Sequence, residues 1–245
     1  MSETCIPSTC HQDLSPLATI MATLRAPHGC PWDQQQTPLS LKSYILEEAY
    51  ELLEAIDSDN PQSICDELGD LLLQVVFLAQ IYKERREFDL STVIAGICAK
   101  MVRRHPHVFA DADNHGHAQR WEQIKLQERF DQGLSQKLAQ RLPPSLPALK
   151  RTQKLIKKTA DSSVLDWLEQ LHAGQQQLKE YLRKTSCPGQ QIEDNVAQLF
   201  FDLTGLAVAL GMDAEDLLRK KTTAAIAEID GQNDALTSSN LTIFF

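Results

Sequence analysis

Two acidic clusters stand close together near the front of the chain. Glu47, Glu48 and Glu51 lie in YILEEAYELLEAI, and Glu67 and Asp70 lie in CDELGDLLLQVVFLAQ, with fifteen residues between Glu51 and Glu67. Residues three and four apart share a helix face. Glu47 with Glu51, Glu48 with Glu51, and Glu67 with Asp70 all meet that spacing. Both clusters sit in apolar, helix-forming sequence, where an unpaired carboxylate is costly to bury. Carboxylates on two facing helices need positive charge between them. A hard cation such as Mg²⁺, held by carboxylates and then by substrate phosphates, supplies it. The same spacings also occur on ordinary solvated helix faces, and spacing alone leaves both readings open.

For the acids to meet, two helices must pack antiparallel. The sequence predicts one helix over about 39–57 and another over about 62–83. Between them, Ser58-Asp59-Asn60-Pro61 supplies a cap from Asp59 or Asn60 and a proline suited to the first helical position. Tyr44, Ile45, Ala49, Leu52, Leu53 and Ile56, with Ile64, Leu68, Leu71, Leu72, Val75 and Val76, are expected to bury the pair. Gly69 is a poor helix residue, by about 0.8–1.0 kcal/mol against alanine, and so hints at close backbone approach. Further helices are expected over about 15–25, 90–104 (stopped by Pro106), from beyond Asp113 to 129, and over 148–160, 163–184, 190–210 and 213–230. The last opens on Asp213 and Asp216, an N-terminal signature. Residues 26–38, with Pro27, Gly29, Pro31 and Pro38, read as a loop. No stretch alternates convincingly with the period of a strand, so the fold class is all-α.

At 245 residues the chain can bury a real core, and its net charge of −9 argues against general nucleic-acid binding. A phosphorylated small ligand stays compatible, because a metal bridges acid to phosphate. The six cysteines form no C-x-x-C pair and are irregularly spaced, which points to reduced thiols in a cytoplasmic setting rather than a zinc site or disulfide framework. The N-terminus lacks the basic and apolar regions of a signal peptide. The longest apolar run, Leu71 to Ile81, is broken by Gln74 and Gln80 and is too short to span a membrane.

The stretch from about Leu17 to Arg129 closely resembles the MazG-type nucleoside triphosphate pyrophosphohydrolases. The resemblance rests on CPWD at 30–33, EEAYE at 47–51, DELGDLL at 66–72, KMVRRHPHVF at 100–109 and WEQIK at 121–125, and continues through SLPAL at 145–149. It implies hydrolysis of a nucleoside triphosphate between the α and β phosphates, giving a monophosphate and pyrophosphate. It further implies that Glu48, Glu51, Glu67 and Asp70 hold Mg²⁺, with Mn²⁺ as the alternative, and that Glu47 adds a ligand or orients the attacking water. Lys100, Arg103 and Arg104 would grip phosphate; the alternative for the two arginines is to pair with the acids as plain salt bridges. Trp32 would stack on base or ribose, or else pack in the interior. His105 and His107 read as hydrogen-bonding the helix end. Since two helices enclose a nucleotide poorly, a homodimer is expected, which the resemblance also implies.

Two-domain members of that family repeat the acidic pattern after SLPAL. Aligned on its apolar frame, the second half places Gln176, Gln177 and Glu180 at the first set of acidic positions, and Asn195 and Gln198 at the second. Ala224 and Glu228 fall where Lys100 and Arg104 stand. Neutral amides do not replace carboxylates around Mg²⁺. The expected organisation is a lead over 1–13, a catalytic MazG-like domain of four-helix-bundle type over 14–130, and a proline-containing linker over 131–147. A degenerate, non-catalytic copy over 148–230, serving dimerisation, stability or regulation, and a tail over 231–245 complete it. The alternatives are a catalytically weak nucleotide-binding or regulatory protein of the same fold, or a hydrolase of alarmones or non-standard nucleotides.

Overall fold

A computed structural model describes residues 13–110, 117–135, 137–184 and 189–241. The expected lead (apart from Asp13) and the apolar Ile243-Phe244-Phe245 of the expected tail lie outside the described residues. Among those residues every regular element is a helix, and the chain divides into two compact units, 1–124 and 125–245.

The first unit holds α1 (Ser15–Arg25), α2 (Pro31–Gln35), α3 (Leu41–Asp57), α4 (Pro61–Glu84), α5 (Leu90–Arg104), α6 (Pro106–Phe109) and the start of α7 (His117–Asp131). Its main pair is α3 against α4. The turn between them works as its sequence dictates. Asp59 takes a left-handed φ of 51°, and Asn60 Oδ1 accepts from the Gln62 and Ser63 backbone amides at 3.0 and 3.4 Å. Pro61, which has no N–H to satisfy, then opens α4. The core sits towards the other end of α4, where Val76, Phe77 and Ile81 close on Met21 of α1 and Leu41 of α3. The acids thus lie between the turn and the core.

A buried arginine ties α1 to this core. The Arg25 Nε and Nη2 donate to Glu84 at 2.9 and 2.8 Å, and Nη1 donates to the carbonyls of Asp33 and, at 3.3 Å, Gln36. The guanidinium also lies 5.5 Å from the centre of the Phe77 ring. One side chain therefore clamps the C-terminal ends of α1 and α4 to α2. Gly29 is required where the chain turns into α2, because a Cβ there would fall 2.2 Å from the Leu24 carbonyl oxygen.

Several expectations need correction. The 26–38 loop contains helix α2, started by Pro31. Pro106 does stop α5, but it also starts the short α6. Gly69 has open space around its Cβ position, so no close backbone approach explains it. Leu53, Ile56, Leu68, Leu72 and Val75 are exposed, since each helix of a pair turns only one face to the other.

The second unit holds the end of α7, then α8 (Leu138–Arg141), α9 (Ala148–Thr159), α10 (Val164–Lys184), α11 (Gln190–Ala209) and α12 (Ala214–Leu241). The last helix runs through much of the expected tail, as Gly231 weakens a helix without stopping it. The pairing of α10 with α11 repeats that of α3 with α4. The burial pattern repeats as well: α4 buries Gln74, Val76, Phe77 and Ala79, and α11 buries Asp202, Thr204, Gly205 and Ala207, each 128 positions further on. Gly205 makes room for Trp167, whose ring would be 2.6 Å from an added Cβ. A Lys150–Asp213 ion pair and a Gln153 Nε2 bond to the Met212 carbonyl at 3.2 Å fasten α9 to the start of α12. Among the described residues no single helix is long and apolar enough to cross a membrane.

Candidate metal centre

Packing α3 against α4 brings Glu48, Glu67 and Asp70 together. Each offers a carboxylate oxygen, and the three oxygens all lie within 4.8 Å of one another. Glu48 and Glu67 are half-buried and Asp70 is exposed. One helical turn beyond Asp70, the buried Gln74 donates from Nε2 to Glu48 Oε1 at 3.4 Å. Glu67 Oε2 and Gln74 Oε1 are buried acceptors that find no donor among the described residues.

The electrostatics follow from this crowding. Desolvation pushes the Glu48 carboxyl above its ordinary value, and the charges of Asp70, Glu51 and Glu67 push it further, against a smaller opposing effect of the Gln74 hydrogen bond. Glu67 is raised in the same way, by desolvation first and then by Glu51, Asp70 and Asp66. The closeness of the Glu51 carboxyl adds to the rise. The cluster therefore attracts either protons or a cation. Its donors are all oxygens, which suits a hard cation. The orphaned Glu67 oxygen and the mutual repulsion fit that occupant.

Of the other sequence-predicted residues, Glu51 reaches the cluster through Glu67. Glu47 is exposed and stands outside the three-carboxylate group, because one residue on from it the helix has turned about 100°. Trp32 is 50% exposed, with its ring edge-on to Tyr44 at 5.9 Å. Tyr44 precedes Glu48 by one turn of α3, so Trp32 stands beside the acidic face. On α5, Lys100 is half-buried and Arg103 is exposed. The Arg104 guanidinium lies 5.2 Å from the Trp121 ring centre, and the His105 ring packs edge-on to Trp121 at 5.0 Å. His105 also closes the end of α5, its backbone N–H donating to the Met101 and Val102 carbonyls. The contacts of Gln74, Tyr44 and Trp121 are new. Only Gln74 gave a signal, as a polar break in an apolar run.

In the second unit the corresponding positions meet with different chemistry. Asn195 Nδ2 donates to Gln177 Oε1 at 3.3 Å, and Gln198 Nε2 donates to the buried Asp202 at 2.7 Å. Among the described residues, Glu48, Glu67 and Asp70 form the one group of His, Cys, Asp or Glu arranged to hold a metal.

A family model described as the MazG nucleotide pyrophosphohydrolase domain matches residues 36–109. A nucleoside triphosphate pyrophosphohydrolase/pyrophosphatase MazG of Thermotoga maritima is 37% identical over 230 residues, covering 93% of this chain and 88% of that protein. The chain belongs to the MazG family. A nucleoside triphosphate pyrophosphohydrolase of Escherichia coli K12 is 39% identical over 214 residues, covering 83% of this chain and 81% of its own length. The counterpart of Mycobacterium tuberculosis is 31% identical over 208 residues, 51% of its length. The MazG model takes in the five acids together with Lys100, Arg103 and Arg104, whereas Trp32 precedes it.

Proposed function

We propose that the chain is a metal-dependent nucleoside triphosphate pyrophosphohydrolase whose site lies in the first unit. The observation that carries this reading is the meeting of Glu48, Glu67 and Asp70 within 4.8 Å, with an orphaned carboxylate oxygen among them. The names of the MazG-family relatives, nucleoside triphosphate pyrophosphohydrolases, supply the reaction. Water adds across the bridge between the α and β phosphorus atoms. The bridging P–O bond breaks, a P–OH group forms, and a nucleoside monophosphate and pyrophosphate leave with release of a proton.

Glu48, Glu67 and Asp70, joined by Glu51, would hold Mg²⁺ or Mn²⁺. Such an ion neutralises charge on the phosphates and acidifies a bound water. Glu47, exposed beside this group and outside it, would orient the attacking water. Lys100, Arg103 and Arg104 project from α5 as phosphate-binding groups, with Arg104 steadied on Trp121. Trp32, half-exposed and braced on Tyr44, offers a face for the base or ribose.

The exposed apolar residues Leu46, Tyr50, Leu53 and Ile56 on α3, and Leu68, Leu72 and Val75 on α4, support a homodimer in which a second copy covers them. The free thiols of Cys30, Cys65 and Cys98 suit a reducing cytoplasm. The test is a panel of ribo- and deoxyribonucleoside triphosphates incubated with and without Mg²⁺, reading pyrophosphate against orthophosphate. Pyrophosphate release that requires the metal is expected. Orthophosphate without pyrophosphate, or no release from any substrate, would overturn the reading.

A further inference from the structure

We propose that Gln74 is a positioning residue of the metal centre: its carboxamide orients Glu48 for the cation and keeps a buried acceptor for a donor that arrives with the hydrated ion. This rests on reading Glu48, Glu67 and Asp70 as cation ligands.

Gln74 is buried on the face of α4 that, three and seven positions on, buries Phe77 and Ile81, where an apolar side chain would pack without leaving a polar atom unpaired. Its orientation is fixed by chemistry. The NH₂ end faces the Glu48 carboxylate at 3.4 Å, since turning the amide over would set one acceptor against another. Its Oε1 is then left with no donor among the described residues. Polar groups behind a metal ligand commonly fix the direction of its lone pairs. Mg²⁺ keeps several of its waters when bound, and those waters are donors.

The second unit gives an independent argument. The equivalent place on α11 is again polar and again buried, but it is Asp202. There the partner is an amide: Gln198 Nε2 donates to Asp202 at 2.7 Å. In the first unit a donor meets the Glu48 carboxylate of the facing helix, and in the second an acceptor meets the Gln198 carboxamide of its own helix. The hydrogen-bonding sense of this position has reversed along with the partner it meets. Val76 and Thr204, just beyond, keep the same burial in both copies. Packing alone accounts for the burial of the position but not for its changing polarity.

The test measures binding of Mn²⁺ alone to the full chain, by titration calorimetry and by electron paramagnetic resonance, with no nucleotide present. The proteins are the wild type, Gln74→Met, Gln74→Leu and Glu67→Gln, each with its melting temperature. Gln74→Met fills the same volume without the donor. It is expected to melt no lower than the wild type while its Mn²⁺ dissociation constant rises about tenfold or more. Wild-type affinity in Gln74→Met, or in Gln74→Leu if the first does not fold, overturns the proposal. A lowered melting temperature with unchanged affinity does so as well, and marks Gln74 as packing. If the wild type binds no Mn²⁺, or Glu67→Gln binds as the wild type does, the reading of the metal centre fails instead. Loss of binding in Glu67→Gln beside full binding in Gln74→Met sinks the Gln74 proposal alone.

Discussion

Replacing Arg25 by alanine tests how the first unit is held together. The Arg25 side chain is 8% exposed and that of Glu84 is 38% exposed. Water reaches the carboxylate, so the ion pair counts for about 1 kcal/mol, near the top of the surface range. The charged hydrogen bond to the Asp33 carbonyl adds about 1.5 kcal/mol, and the Phe77 ring about half that. The total is about 3 kcal/mol. For a unit the size of residues 1–124 it lowers the melting temperature by roughly 12 °C. Arg25→Lys should recover less than half, because an ammonium does not reproduce the forked geometry.

The effect has a pH signature. Arg25 is the main cause of the lowered Glu84 pKa. A lowered carboxyl contributes stability above its ordinary value of 4.5 and loses it as pH falls through the folded value. The gap between wild type and Arg25→Ala should therefore narrow as the pH falls below 4.5. Urea unfolding by circular dichroism, with hydrogen exchange read over residues 20–40, measures both effects. A destabilisation under about 1 kcal/mol, or a gap independent of pH, would refute the clamp.

Further outcomes follow from other features. Glu48 and Glu67 are raised in the folded state, so the folded chain holds protons that the unfolded chain has released, and the metal-free protein loses stability as pH rises from 4.5 through the raised values. The gain in melting temperature on adding Mg²⁺ should accordingly be larger at pH 7.5 than at pH 5, as differential scanning fluorimetry would show. Gly205→Ala forces a Cβ to 2.6 Å from the Trp167 ring and should cost about 1–3 kcal/mol in chemical denaturation while pyrophosphate release per folded molecule stays unchanged. Asn195→Asp adds a charge that is 8% exposed close to the buried Asp202 side of α11 and should destabilise the second unit by at least about 2 kcal/mol, seen as a lower urea midpoint. Trp32→Ala should raise KM for the nucleotide several-fold with a smaller change in kcat, by steady-state kinetics.

Much of the fold was legible because helix signals are local. Ser15 to Arg25 and Leu90 to Arg104 carry their own apolar spacing, and Asn60-Pro61 carries both a cap and a start. Helix α2 was hidden because PWDQQ is short and surrounded by turn formers, and what holds it is Arg25, a contact from outside the segment. Counting could place Glu48 with Glu51 on a face of one helix and Glu67 with Asp70 on a face of the next. Glu47 could not be separated from Glu48 that way, since the rotation between neighbours shows only once the facing helix is fixed. Gln74 read as a flaw in an apolar run, and its meaning depended on the carboxylate opposite. The exposure of Leu68, Leu72 and Val75 escaped for a related reason: periodicity says that a face is apolar, not what covers it.

The most direct measurement of the central claim is the double variant Glu48→Gln with Glu67→Gln, assayed for pyrophosphate release from nucleoside triphosphates and for Mn²⁺ binding in the same preparation. Removing two mutually repelling acids should leave the fold intact and its melting temperature no lower than that of the wild type. Both metal binding and pyrophosphate release should fall below detection. A folded double variant that still releases pyrophosphate at the wild-type rate would contradict the account and place the chemistry elsewhere in the chain.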